Sequence, residues 1–206
     1  FLDELMNQSL PQMPEFSHYN AKIQDIDTRL IRADFSGIPK YDLITSVESS
    51  ERLKSLLLKQ GKHSQIELVN EESLELIRVL QGVPAFGKEL TRERNPLEAN
   101  LHRFISFNKD CYIGQEVIAR LNTYQKVQRQ LVGLSWKTSE GTESEEFFNA
   151  NKQIGAVTSK VGIPWLDKTI GLGYVRISHS DPGNVLVTGS ENDEFKATVE
   201  KLPFRL

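Results

Sequence analysis

The chain of 206 residues has a single cysteine, Cys111. One cysteine cannot close an internal disulfide, so a reducing, cytoplasmic setting is expected rather than a disulfide-stapled secreted fold. Long apolar runs are missing as well. None approaches the roughly 20 residues of a membrane-spanning helix, so no membrane partner is expected. An excess of one charge sign is also lacking. The 25 Lys and Arg stand against 28 Asp and Glu, a net charge of −3. That is too small to attract polyanions in general, and direct nucleic-acid binding is not expected. His18, His63, His102 and His179 are scattered, with no metal-site spacing to one another or to Cys111, so no metal ligand is assigned. The stretch "GLGYVR" (171–176) lacks the third glycine and the following helix of a dinucleotide loop. What remains is ordinary: 38% hydrophobic and 26% charged residues describe a chain that buries a core. Its length suits one large or two small domains.

Periodicity gives the outline. The segment "KIQDIDTRLIRADFSG" (22–37) alternates from about Thr28 and reads as a strand ending at Ser36-Gly37. "KYDLITSV" (40–47) reads as a second strand, joined to the first through the turn residues "SGIP". A helix follows over "ESSERLKSLLLKQG", capped by Ser49 or Ser50, with Leu53, Leu56 and Leu57 inward and Gly61 at its end. "QIELV" (65–69) is β-like, and Asn70 caps the helix "EESLELIRVLQG", whose glutamates suit the positive end of the dipole. Pro96 opens a short helical stretch through Phe104, and Gly114 precedes the helix "QEVIARLNTY", with Val117, Ile118 and Leu121 inward. After Lys126 only short β-like runs occur, the mark of a small barrel, with 139–151 a solvated loop. The reading is an α+β fold in two parts, 1–126 and 127–206. Trp165 and Tyr174 read as barrel packing.

The stretch "FNKDCYIGQEVIARL" (107–121) holds the cysteine. A lone cysteine can be a small core filler. It can also be a nucleophile or metal ligand, which acts as the thiolate and is favoured by nearby cations and a helix N-terminus. Lys109 and the helix starting at Gln115 supply both, whereas the adjacent Asp110 opposes ionisation. Local chemistry leaves the two readings open.

"NPLEANLHRFISFNKDCYIGQEVIARLNTYQKVQRQLVGL" resembles the YgfZ family, folate-binding proteins related to the T-protein (aminomethyltransferase) of the glycine cleavage system. The family signature is Lys-Gly-Cys-Tyr-x-Gly-Gln-Glu. Lys109, Cys111, Tyr112, Gly114, Gln115 and Glu116 fall in register with it, and Asp110 replaces the first glycine. "ESLELIRVLQGVPAFGKELT" is similar to the family's Arg-x-x-x-Gly-x-Pro-x-x-Gly segment, and "QIGAVTSKVGIPWLDKTIGLGYVRI" with "VEKLPF" to the barrel shared with the T-protein.

The resemblance implies a T-protein-like fold: a first domain split in sequence, a ferredoxin-like region, and a C-terminal antiparallel β-barrel. Tetrahydrofolate would bind in a central channel. The start at Phe1 implies that the beginning of the first domain, with the T-protein's essential aspartate, is missing. The implied role is assistance to the maturation or repair of iron–sulfur proteins, the partners besides folate, with indirect effects on tRNA modification. Cys111 and Lys109 would carry the chemistry, with Tyr112, Gly114, Gln115 and Glu116 shaping the loop. Arg78 and Arg120 are candidate folate contacts, the alternatives being a salt-bridge residue for Arg78 and a solvated surface for Arg120. T-protein enzymes carry glutamates where this chain has Ile38 and Leu80, and aliphatic side chains accept no hydrogen bond. A glycine cleavage aminomethyltransferase is therefore the alternative, and a scaffold without ligand a further one.

Overall fold

The computed structural model describes residues 1–34, 38–124, 127–138, 146–150, 152–188 and 195–205. The chain separates into two compact units, Phe1–Leu74 and Glu75–Leu206. Lys126, where the sequence places a boundary, lies outside the described residues, as do Phe35-Ser36-Gly37 and most of 139–151.

In the first unit a short helix α1 (Leu2–Met6) precedes an antiparallel sheet of order β1-β2-β3: β1 (His18–Ile23), β2 (Ile26–Arg32) and β3 (Tyr41–Ile44). The two-residue period sets its faces. Ala21, Ile23, Ile26 and Leu30 are buried, whereas Lys22, Asp27 and Arg29 stay exposed. Helix α2 (Val47–Gln60) closes the core with Leu53, and the half-buried Leu56 and Leu57 pack beside it.

The expected single strand over 22–37 is in fact parts of two, because the chain reverses at Gln24-Asp25. Gln24 takes φ 56°, a backbone state usually signalled by glycine or asparagine, so the turn left no mark in the sequence. Arg52 of α2 pairs with Asp25 at that turn. Ser46 rather than Ser49 or Ser50 occupies the N-cap of α2. Residues 65–69 are not a strand: Gln65 adopts φ 54°, and the segment joins no ladder. Asn70 does cap α3 (Glu71–Leu80), its Oδ1 accepting the Ser73 N–H at 2.8 Å.

The second unit is built on a six-stranded antiparallel sheet of order β5-β6-β7-β4-β9-β8. Its strands are β4 (Arg129–Lys137), β5 (Glu146–Asn149), β6 (Lys152–Ile163), β7 (Lys168–Arg176), β8 (Val185–Thr188) and β9 (Phe195–Glu200). The two edge strands β5 and β8 approach one another, so the sheet curls towards the expected barrel. Helix α4 (Gln115–Tyr124) precedes it. Central strands β4 and β7 are buried along almost their whole length because both faces are covered. Val132, Leu134, Trp136 and Val175 face one core with Phe147 and Val199. Leu131, Ile170, Leu172 and Tyr174 face another with Val79 and Ala99.

Several expectations change here. Part of the supposed solvated loop is strand β5, which buries Phe147. The stretch after Pro96 makes turns and a short 3-10 segment, His102–Phe104, rather than an α-helix. Val117 points outward. Trp165 is 72% exposed, because Pro164 starts a 3-10 turn between β6 and β7 and ends the strand alternation. Among the described residues no helix is long and apolar enough to cross a membrane.

Gly173 shows how tightly the barrel wall is packed. A Cβ there would sit 2.6 Å from the Ala156 carbonyl oxygen and 2.7 Å from Leu134 Cδ1. Gly162 has nothing within 4 Å of the same position. Gly173→Ala is expected to cost about 1–3 kcal/mol by overpacking, and Gly162→Ala no more than about 0.5 kcal/mol. Urea denaturation midpoints of the two variants check this.

Candidate functional site

The second unit is organised around the stretch "VPAFGKEL" (83–90). The Ala85 carbonyl accepts the N–H groups of Lys88, Glu89 and Leu90 at 3.3, 3.1 and 3.0 Å, and Gly87 returns its N–H to the Leu90 carbonyl. Gly87 has φ 81°, which the tight turn requires. The turn drives the Glu89 side chain inward to 0% exposure.

A buried carboxylate survives only if its oxygens are supplied with donors. Oε1 accepts Ser159 Oγ at 2.6 Å and Thr158 Oγ1 at 2.7 Å, and Oε2 accepts the Ala85 N–H at 2.9 Å and Arg78 Nη1 at 3.0 Å. Thr158 and Ser159 are consecutive, and consecutive residues of a regular strand point to opposite faces. The register of β6 against β7 shifts between Val157 and Ser159, a bulge that brings both hydroxyls to one oxygen. Burial alone would push the Glu89 carboxyl up. The hydrogen bonds from Ser159, Ala85 and Thr158 and the charge of Arg78 outweigh it and hold the group below its ordinary range.

Arg78 spends its whole guanidinium on protein. Nε and Nη2 donate to the Glu75 oxygens at 2.8 and 2.6 Å, Nη1 to the Val83 carbonyl and Glu89, and Nη2 also to Ser159 Oγ at 2.6 Å. All five N–H groups are engaged. The salt-bridge alternative thus describes its setting, with no N–H left over for a ligand. Lys88 Nζ adds a second cation to Glu75 at 2.8 Å. Hydrogen bonds from Arg78 pull the Glu75 carboxyl down to about 2.

The same turn orients an aromatic ring. Tyr174 OH donates to the Glu89 carbonyl at 3.0 Å, and the Arg94 guanidinium lies over the ring, 4.5 Å from its centroid. Burial pushes the Tyr174 phenol up to about 12. Arg94 also lines an open cleft of about 260 Å³ with Glu93, Asn95, Glu98, Gln128 and Arg129.

The cysteine motif lies elsewhere on this unit. Cys111 is exposed, in a loop before α4 whose residues are exposed except for the half-buried Tyr112. Lys109 Nζ sits 4.9 Å from the centre of the Tyr112 ring. Gln115 accepts the Tyr112 N–H on its Oε1 at 3.2 Å, and Gly114 takes φ 90° with open space around its α-carbon. Glu116 and Arg120 are exposed on α4. Lys109, Tyr112 and Gln115 are therefore brought into contact, with Cys111 exposed between them in the chain, while neither Arg78 nor any of the motif residues lines the cleft. Sequence reasoning missed Glu89, Thr158, Ser159, Arg94 and Glu98. Only the glycine and proline punctuation of 82–87 hinted at a structured turn, and the bulge that pairs the two hydroxyls has no sequence mark.

Comparison with known proteins gives a consistent picture. The model of the GCVT N-terminal domain matches residues 1–109, and that of the glycine cleavage T-protein C-terminal barrel domain matches residues 129–205. The chain is 36% identical over 178 residues to a chloroplastic protein of Arabidopsis thaliana that carries a transferase name, covering 82% of this chain and 40% of that one. It is 26% identical over 204 residues to an aminomethyltransferase of Aquifex aeolicus, covering 98% of this chain and 55% of that one. The crystal structure of the glycine cleavage system aminomethyltransferase T from Bartonella henselae superposes with a TM-score of 0.77 at 19% identity, over 98% of this chain and 55% of that chain. The chain thus spans about half the length of the relatives it matches.

Removing the buried charge tests the network around it. Glu89→Gln leaves Arg78 without its buried counter-charge and is expected to lower stability by about 3 kcal/mol or more. Acid should act through Glu75. Its folded value of about 2 lies below the ordinary 4.5, so the unfolded chain takes up the proton first as pH falls. The contribution is full above about pH 4.5 and is lost progressively down to about 2. Glu75→Gln should flatten the acid limb of a stability-against-pH curve measured by urea unfolding.

Proposed function

The chain belongs to the glycine cleavage T-protein family, and from that premise we propose that it is the tetrahydrofolate-binding part of a protein acting on a one-carbon unit, as an aminomethyltransferase does. The observation that carries this reading is the family match to both the N-terminal and the barrel regions, with relatives named as aminomethyltransferases aligned over almost the whole chain. Tetrahydrofolate is the cofactor that the family supports. Two positions bear on the chemistry. Ile38 and Leu80 stand where the resembling enzymes have glutamates, and Leu80 packs on the core cluster around Val79 and Leu172. Neither side chain can accept a pterin N–H or hold charge.

A second reading is favoured by the exposed Cys111 in its signature loop. In it the protein is YgfZ-like, resides in the cytoplasm and assists iron–sulfur proteins, its effects on tRNA modification being indirect and without nucleic-acid contact. Cys111 would be the reacting group, Lys109 a nearby cation, and Tyr112, Gly114, Gln115 and Glu116 the frame of the loop. Arg120, exposed on the helix that follows, would then face an anionic part of folate. The role of Arg78 becomes positional, since its N–H groups are spent.

Equilibrium titration with tetrahydrofolate tests what both readings share: binding is expected, and its absence would leave only a scaffold. An assay for methylene-tetrahydrofolate formation from aminomethylated lipoyl protein then separates them. Activity that persists in Cys111→Ala supports the transferase. No transferase activity, together with a Cys111→Ala variant that fails to sustain iron–sulfur enzyme activity in cells, supports the second reading.

A further inference from the structure

Helix α4 has no fully buried side chain among its described residues, although its sequence is amphipathic. Gln115, Ile118 and Ala119 are half-buried and, at spacings of three and four, mark the side turned towards the protein. The other side shows Glu116, Val117 and Arg120 to solvent. Val117 is 57% exposed, and Ile113, four residues ahead of it, is exposed completely. Phe104 and Phe107, in the segment that leads to the helix, are exposed as well. Apolar side chains grouped in this way and set among charges mark an interaction surface.

The charges on this face indicate what covers it. Glu116 and Arg120 stand four residues apart, in the order that favours an ion pair along a helix. No such pair forms, and neither side chain bonds to another group among the described residues. A partner surface of a single sign would be repelled by one of the two. A second α4 running in the opposite direction presents Arg120 to Glu116 and Glu116 to Arg120, so both charges are matched at once. Two-fold symmetry makes each contact twice. Val117 lies one residue from the midpoint between the charges, so the two valines meet offset by about 3 Å along the helix axis.

We infer that the exposed face of α4 is a self-association surface, on which two copies of this chain pair with their α4 helices antiparallel, Val117 packing on Val117 and Glu116 of each copy meeting Arg120 of the other. The inference goes beyond both readings of function above and depends on neither. It also places the two Cys111 thiols at opposite ends of the helix pair, roughly 20 Å apart along the axis by helical rise. That is too far for a disulfide, so the association is non-covalent.

Sedimentation equilibrium of the chain in a reducing buffer, at up to about 100 µM, tests this in the range where small interfaces assemble. A dimer is expected. Glu116→Arg and Arg120→Glu each turn two attractive contacts into two repulsive ones, and each should weaken the dimer at least about tenfold. The double variant Glu116→Arg with Arg120→Glu restores opposite signs at both contacts and should return the affinity to within about threefold of wild type. Val117→Lys, which places like charges at the centre, should leave a monomer. All of these positions are exposed, and circular dichroism confirms that each variant folds. A wild-type chain that stays monomeric overturns the inference, as does a dimer that forms only without reductant. A dimer indifferent to the single exchanges, or one that the double exchange fails to restore, overturns it too.

Discussion

One buried carboxylate holds the second unit together. Taking Glu89 out of water is costly unless its oxygens are bonded and its charge is met. Here two hydroxyls, a main-chain N–H and Arg78 do both. The partners come from three separate pieces of chain: the end of α3, the 83–90 turn and strand β6. No two of these can shift independently without leaving a donor or acceptor unpaired in the interior, which is what gives such a network its specificity. The bulge in β6 is part of the same device, since without it only one of Thr158 and Ser159 could reach the carboxylate.

The order imposed at Glu89 propagates outward. Its side chain fixes the turn, and its carbonyl takes the Tyr174 hydroxyl. The ring so held carries Arg94 at the rim of the cleft. Each step adds a constraint to a group that would otherwise pay rotamer entropy on meeting a ligand. The contacts of a fully buried residue therefore reach the rim of the cleft through one ring and one guanidinium.

How far this was legible in the sequence depends on the kind of signal. Strong periodicity survived: α2, α3, α4 and the barrel strands other than β5 lie where their patterns put them, and the Asn70 cap formed as its chemistry dictates. The fold was legible through long motifs that resemble the T-protein family. Signals failed where the backbone did something its residues do not advertise. Gln24 and Gln65 adopt positive φ without glycine, which turned one expected strand into a hairpin and removed another. The buried network escaped because its members are ordinary polar residues as much as 81 positions apart. Only the register shift makes neighbours of them. The cysteine loop was legible as a motif, whereas the cleft, lined by the 93–98 turn and by residues 121 and 127–129, was not.

The two apolar departures gain meaning from the same bookkeeping of partners. If Leu80 removes a carboxylate that enzymes of this family use, a nearby acid could in principle stand in. Glu75 and Glu89 cannot do so, because both are bound to Arg78 and Glu75 also to Lys88. Freeing either would strip a partner from a guanidinium that is 11% exposed. The carboxylates that line the cleft are Glu93 and Glu98, on the turn after the Glu89 knot. There Arg94 and Arg129 supply the opposite charge, so the cleft carries both signs side by side.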